Sequence, residues 1–218
     1  MSQLIFKFPF KTKYFEQDFY VSKNNFEAYK LIESWPNWPG KWLNIYGDSG
    51  SGKTHLSKIL EKKIGKVKII NSKNIDDKLL LKIKNYKCLV IDNFENNINE
   101  KLLYSILNHS KQFESYVVIN SKRSINKSKL ELKDLKSRIE SFIYIGINLP
   151  TDDLLKVIIS KSFSDRQINL SPKISEYIIN NVERSYEKMF KFLKEIDELS
   201  LSTGKSINIA LIKKVLNR

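Results

Sequence analysis

Gly47-Asp48-Ser49-Gly50-Ser51-Gly52-Lys53-Thr54, followed by His55, decides how this 218-residue chain is read. Every fixed position of G-x-x-x-x-G-K-[ST] is filled. The apolar run Trp42-Leu43-Asn44-Ile45-Tyr46 precedes it and Leu56, Ile59, Leu60 and Ile64 follow at helical spacing. A strand, a glycine-rich turn and a helix in that order form a phosphate loop. The glycines let backbone N–H groups curl around a β-phosphate at a helix N-terminus that already favours an anion. Lys53 is placed to reach the β- and γ-phosphates, and the Thr54 hydroxyl to ligate Mg²⁺.

Such a loop needs an acidic partner at the end of an apolar strand. Cys88-Leu89-Val90-Ile91-Asp92 supplies it, and Asp92 is expected to hold Mg²⁺ through water. Many ATPases of this kind carry an acid at the next position to orient the attacking water. Asn93 stands there instead, and an amide cannot accept a proton as a carboxylate does. Glu95 is near, at a different angle. The sequence therefore predicts nucleotide binding more strongly than fast hydrolysis. Asn120 and Ser121 end the following apolar run. Asn120 reads either as a polar group that senses the γ-phosphate or as an ordinary strand end.

Outward from the loop, residues 42–47, 67–70, 87–92, 115–120 and 142–147 are short runs rich in branched and aromatic residues, read as buried parallel strands. Strands alternating with helices imply an α/β layered fold with a five-stranded parallel sheet. After Pro150 the pattern turns helical. Thr151 is expected to cap a helix with Leu154, Leu155, Ile158 and Ile159. Ser171-Pro172 reads as a cap and first-position proline for the next helix. Tyr186, Met189, Phe190, Leu193 and Ile196 form a third stripe that Gly204 ends, and residues 207–216 close the chain as a helix. The expected organisation is an arm at residues 1–13, an α/β core at 14–150 and a small all-helical lid at 151–218.

Composition narrows the class. Hydrophobic residues are 41% and charged residues 28% of the chain, as in ordinary globular proteins. No apolar run reaches the ~20 residues of a membrane span, and no secretion signal is legible. Cys88 is the only cysteine, so no intrachain disulfide can form and a reducing, cytoplasmic setting is expected. The net charge of +14 suits nucleic acid. A Lys-, Asn- and Ile-rich composition produces it equally well. Between Ser121 and Lys136 lie Lys122, Arg123, Lys127, Lys129, Lys133 and Lys136 against Glu131 and Asp134. That stretch reads as a weak DNA contact or as a solvated loop.

Phe19-Tyr20-Val21-Ser22-Lys23-Asn24-Asn25, Ala28, Trp35-Pro36-Asn37-Trp38-Pro39, the phosphate loop with Thr54-His55-Leu56, Ile91-Asp92-Asn93-Phe94-Glu95, and Leu135-Lys136-Ser137-Arg138-Ile139 together resemble the DnaA family of AAA+ proteins. Within it they are most similar to the Hda-like regulators of replication initiation. The resemblance runs from residue 3 to the end. It implies an AAA+ P-loop core with a helical lid, and adenine nucleotide (ATP/ADP, with ADP in the working state) as cofactor with Mg²⁺. It also implies an ATPase core without an origin-reading module, because the lid-like helices end at Arg218.

The same resemblance assigns roles. Tyr20 and Val21 match the segment that packs on adenine. Arg138 matches an arginine finger acting in trans; otherwise it is a surface arginine facing Glu140 or Asp134. Gln3-Leu4-Ile5-Phe6-Lys7-Phe8 resembles a sliding-clamp-binding peptide in which Gln3, Leu4, Phe6 and Phe8 make the contacts. The implied partners are the DNA polymerase sliding clamp and DnaA, with homo-oligomers open. Two departures stand out. Lys122 replaces an acid usual after the fourth strand, and Glu187 occupies the place of the lid's nucleotide-touching arginine, with Arg184 and Lys188 beside it. Two other functions stay open. One is a DnaC/IstB-like helicase-loader or transposition-helper ATPase. The other is a DnaA-like DNA-binding adaptor without catalytic effect.

Overall fold

The structure is a computed structural model, and it describes residues 18–95, 99–164 and 168–216. The chain divides into two compact units that meet in sequence at Asn148 and Leu149.

The first unit is a layered α/β fold. In chain order it runs α1 (Phe26–Glu33), β1 (Trp42–Tyr46), α2 (Lys53–Ile64), β2 (Val67–Asn71), α3 (Lys78–Lys82), β3 (Cys88–Phe94), α4 (Glu100–Gln112), β4 (Tyr116–Ser121), α5 (Lys133–Glu140) and β5 (Ile143–Gly146). The strands form one parallel sheet in the order β2-β3-β4-β1-β5. All five strands expected from the sequence are present, each within two residues of the expected ends, which is the usual spread at element boundaries.

Both sheet faces are buried, which is why the strands read as continuous apolar runs rather than alternating ones. Leu43, Ile45, Cys88, Val90 and Val118 face one way, onto Leu56, Ile59, Leu60 and Ile64 of α2 and Ala28 and Ile32 of α1. Trp42, Leu89, Ile91, Val117 and Ile119 face the other, onto Leu103, Ile106 and Leu107 of α4 and Leu135 and Ile139 of α5. Burial of the Cys88 thiol pushes its pKa well above the ordinary value, so it behaves as a small apolar core group.

The second unit is helical: α6 (Asp152–Ser164), α7 (Pro172–Asn181), α8 (Tyr186–Thr203) and α9 (Ile209–Leu216). Its core includes Leu155, Ile159, Phe163, Ile178, Met189, Leu193, Ile196 and Ile212. Thr151 receives the Leu154 N–H at 3.4 Å, as a capping residue should. Gly204 ends α8 in the left-handed region at φ 64°.

Two local expectations are corrected. Ser171 occupies the cap position ahead of Pro172, but its side chain makes no capping bond; its carbonyl accepts from Ile174 and Ser175. Phe190 is 44% exposed, and Phe192 fills the core in its place. Position 190 directly follows Met189 and turns about 100° away from it, whereas 192 lies three residues on, beside Met189 on the apolar face. Among the described residues, no helix is long and apolar enough to cross a membrane.

Candidate functional site

The parallel sheet brings three sequence-distant groups to one edge. Gly47 follows β1, Asp92 lies near the end of β3, and Asn120 near the end of β4. Strand pairing sets them side by side, with Ile45 opposite Asn120 and Ile91 opposite Ile119. Ligands of open α/β sheets bind outside such carboxyl ends.

The loop is shaped as a cradle. Gly47, Gly50 and Gly52 all have positive φ, at 158°, 80° and 98°. A Cβ on Gly47 would stand 2.7 Å from the Ile147 carbonyl oxygen, and one on Gly52 would stand 2.9 Å from the Phe19 ring. Gly52 caps α2 and no side chain takes a capping bond there, so the helix opens toward the loop with its dipole unblocked. Lys53 Nζ donates to the carbonyls of Gly47 at 2.7 Å and Asp48 at 2.8 Å, and to Ser51 Oγ at 3.3 Å. Burial pulls the Lys53 pKa below the usual lysine value; Asp92 and Asp48 oppose that, and Lys122 adds to it. A phosphate is an anion that would favour the charged form of such a buried ammonium.

Thr54 Oγ1 donates to Asp92 Oδ2 at 2.8 Å, and Asn120 Nδ2 donates to Asp92 Oδ1 at 2.9 Å and to Ser57 Oγ at 2.8 Å. Asp92 is thereby fixed although only 8% exposed. Among the described residues no group of three or more His, Cys, Asp or Glu is placed to hold a metal ion. Thr54 and Asp92 offer two hard oxygens, which suits Mg²⁺ completed by phosphates and water rather than a protein cage. The Asn120 side-chain oxygen, Oδ1, is buried with no hydrogen-bond partner among the described residues. An unpaired buried acceptor is costly. The donor set and the cradle fit a Mg²⁺-nucleotide.

Asn93 sits in a bulge. The β3–β4 register shifts between Ile91 and Phe94, and Asn93 has φ 52°. Asparagine is among the few non-glycine residues that tolerate this conformation. Its carbonyl accepts from Ser72 Oγ at 2.6 Å. Ser49, Lys53, Asn93, Glu95, Asn120 and Lys122 line one cavity of about 220 Å³ with Phe94 and Ser121. Glu95 is held by Lys73 at 3.5 Å.

Phe19 was not legible as a site residue. It stacks on Tyr29 and meets the His55 ring edge-on, with its own ring against the loop at Gly52. Only its place beside Tyr20 and Val21 signalled it. Tyr20 is 45% exposed, and its carbonyl is held by Asn25 Nδ2 at 2.9 Å.

Arg138 stands apart from all of these. It lies in the last turn of α5, its guanidinium carbon 5.9 Å from the ring centroid of Trp42, the first residue of β1. The phosphate loop leaves the other end of β1, about 13 Å further on. In the helical unit Glu187 is exposed in the first turn of α8, Arg184 pairs with Asp152, and Lys188 lies 3.8 Å from Glu183. All six basic residues between 122 and 136 are exposed. Gln3, Leu4, Phe6 and Phe8 lie outside the described residues.

Residues 152–216 match the family described as Hda, lid domain, and residues 43–135 match one described as RNA helicase, which spans the phosphate loop, Asp92 and Asn120. The chain is 28% identical over 243 residues to the chromosomal replication initiator protein DnaA of Buchnera aphidicola subsp. Baizongia pistaciae, covering 99% of this chain and 53% of that protein. It thus spans about half the length of that relative. Domain III of the Thermotoga maritima replication initiation protein DnaA superposes with TM-score 0.79 at 20% identity, covering 96% of this chain and 98% of that one. A replication initiator DnaA bound to AMPPCP and single-stranded DNA gives TM-score 0.70 at 22% identity over 89% of this chain and 67% of that one.

Proposed function

We propose, for a chain that is a DnaA/Hda-like AAA+ protein, a regulatory role in replication initiation exercised on a partner's nucleotide. The chain holds adenine nucleotide with Mg²⁺ in its own loop. It docks on the DNA polymerase sliding clamp through residues 3–8 and presents Arg138 to DnaA–ATP, whose hydrolysis it accelerates.

The observation that carries this reading is the separation of Arg138 from the chain's own loop. Arg138 and the loop occupy opposite ends of β1. A guanidinium there is out of reach of its own γ-phosphate and open to another subunit's. Trp42 holds it by a cation–π contact without neutralising its charge. Asn93 supports the same division of labour. With an amide in place of an acid beside Asp92, the chain lacks a carboxylate at the usual water-orienting position and is expected to hydrolyse slowly by itself.

The chain's own residues carry the binding. Lys53 and the loop amides hold the phosphates, Thr54 and Asp92 hold Mg²⁺, and Asn120 holds Asp92 in place. Mg²⁺, when bound, neutralises phosphate charge. In the partner's site Arg138 supplies charge at the transferring phosphoryl group, a contribution of about 10³–10⁵ in rate for fingers of this kind. The exposed lysines of residues 122–136 add a weak electrostatic contact to DNA threaded through a clamp.

The deciding experiment is single-turnover hydrolysis of DnaA-bound ATP with this protein in excess, with and without DNA-loaded clamp. Acceleration that requires the loaded clamp is expected. Robust ATP hydrolysis by the chain alone, stimulated by DNA without DnaA, would move it to the helicase-loader or transposition-helper ATPases. Tight salt-sensitive DNA binding with no effect on DnaA would make it a passive adaptor.

A further inference from the structure

We propose that Asn44, inside the interior strand β1, is a positioning residue for the metal side of the nucleotide site. It braces Asn120 from both sides, and through Asn120 it fixes the Asp92 carboxylate that would ligate Mg²⁺. The inference rests on the nucleotide reading above and adds a residue that touches neither nucleotide nor metal.

Asn44 is fully buried between Leu43 and Ile45. Its Nδ2 donates to the Ile119 carbonyl and to Ser121 Oγ, both at 2.8 Å, and its Oδ1 accepts the Ile125 N–H at 3.1 Å. A carbonyl only accepts and a backbone N–H only donates, so the amide can face its partners in one way alone. A polar side chain in the middle of a parallel sheet is expensive unless its polar atoms are paired, and these are. The two groups that receive Nδ2 belong to the residues immediately before and after Asn120.

The brace continues along the strand end. The Gly47 N–H, where the phosphate loop begins, donates to the Ser121 carbonyl at 3.2 Å, and Ser121 Oγ donates to the Arg123 carbonyl at 2.6 Å. Between these pinned residues, Asn120 Nδ2 spans Asp92 Oδ1 at 2.9 Å and Ser57 Oγ at 2.8 Å. Asp92 Oδ2 takes the Thr54 hydroxyl at 2.8 Å. A shift of about 0.5 Å in Asn120 would carry its bond to Asp92 past the ordinary hydrogen-bond range. Asp92 would then keep one of its two protein partners.

A purely structural role for Asn44 would be to satisfy the Ile125 N–H, carried inward with the buried Ile125 side chain. One acceptor suffices for that. The two donated bonds go to either side of Asn120 instead, and they tie the metal side of the site to the strand that delivers the phosphate loop.

The test is calorimetric titration of ADP, with Mg²⁺ and with EDTA, into wild type, Asn44→Leu, Asn120→Ala and the double variant, with thermal unfolding as the control for folding. Leucine keeps the branching of asparagine and has no polar atoms. Groups that orient a metal ligand from behind typically matter about 10–100-fold in metal affinity, and one step further back matters less. The Mg²⁺ enhancement of ADP affinity is therefore expected to fall about tenfold in Asn120→Ala and about fivefold in Asn44→Leu, whose affinity in EDTA stays within about twofold of wild type. The double variant should lose no more than Asn120→Ala alone, because residues acting through one another are not additive. In the ligand-free protein, the Asn120 side-chain amide protons should exchange about tenfold faster in Asn44→Leu than in wild type. Asn44→Ser, whose hydroxyl cannot reach both sides of Asn120, gives the same readouts should the leucine variant fail to fold. Additive losses, an equal loss with and without Mg²⁺, or unchanged exchange at Asn120 overturns the inference and leaves the nucleotide site standing. A wild-type protein that binds no ADP overturns the nucleotide reading and this inference with it.

Discussion

Arg138 and Trp42 meet at the end of the sheet that faces away from the phosphate loop, the guanidinium over the indole at 5.9 Å from its centroid. The indole is itself fixed, since Trp42 Nε1 donates to Ser110 Oγ at 3.0 Å. Arg138→Ala removes one half-exposed cation–π contact, so it should cost about 0.5–1 kcal/mol of stability and leave nucleotide affinity unchanged. Stimulation of DnaA–ATP hydrolysis should vanish in the single-turnover assay. A variant that stimulates as well as wild type would end the trans-finger mechanism.

Gln3→Ala combined with Leu4→Ala should abolish clamp binding, because an extended peptide recognised in a groove depends on its anchor side chains. Surface-immobilised clamp and a melting curve on the same sample give the two readouts. Retained binding with an unchanged melt would remove residues 3–8 from the proposal.

Asn93 adopts φ 52°, a conformation that costs an ordinary side chain about 1–2 kcal/mol. Asn93→Glu should therefore lower stability by about that amount, and Asn93→Gly should not. Urea unfolding of the three proteins checks it. Equal stability of wild type and Asn93→Glu would show that the bulge relaxes to suit the larger side chain.

Helix α5, which carries Arg138, has no capping side chain of its own at Leu132. Glu100 of α4 instead fastens the segment that leads into it: its carboxylate accepts the Glu131 N–H at 3.0 and 3.1 Å and the Leu132 N–H at 2.7 Å. Glu100→Ala removes a carboxylate that accepts two backbone N–H groups, so it should cost about 1–2 kcal/mol and raise amide exchange at residues 131–132 well above the rest of the core. Unchanged exchange there would mean that water replaces the carboxylate at no cost.

The phosphate loop, the five strands and the α2 face were legible because each is written in consecutive residues or in a fixed period. Leu56, Ile59, Leu60 and Ile64 are all buried as their spacing requires. In α8 the stripe held at Tyr186, Met189, Leu193 and Ile196 and failed at Phe190, where two aromatics two residues apart compete for one face. The sites that sequence missed are those made by long-range pairing. Asn44 sits in an apolar run whose pattern gives no sign that it anchors a turn some eighty residues away. Phe19 reaches the loop only through the fold, and Glu100 ties down the residues that lead into a helix beginning at Lys133.

The placement of Arg138 and the phosphate loop at opposite ends of one strand also has a consequence for symmetry. A contact that joins the Arg138 edge of one AAA+ subunit to the loop edge of the next uses a different surface on each side, so no two-fold axis can relate the partners. Such a junction is directional, with a leading face and a trailing face. A chain entering it by its Arg138 edge leaves its own loop edge turned outward, and an assembly built this way has a head and a tail from its first pair onward.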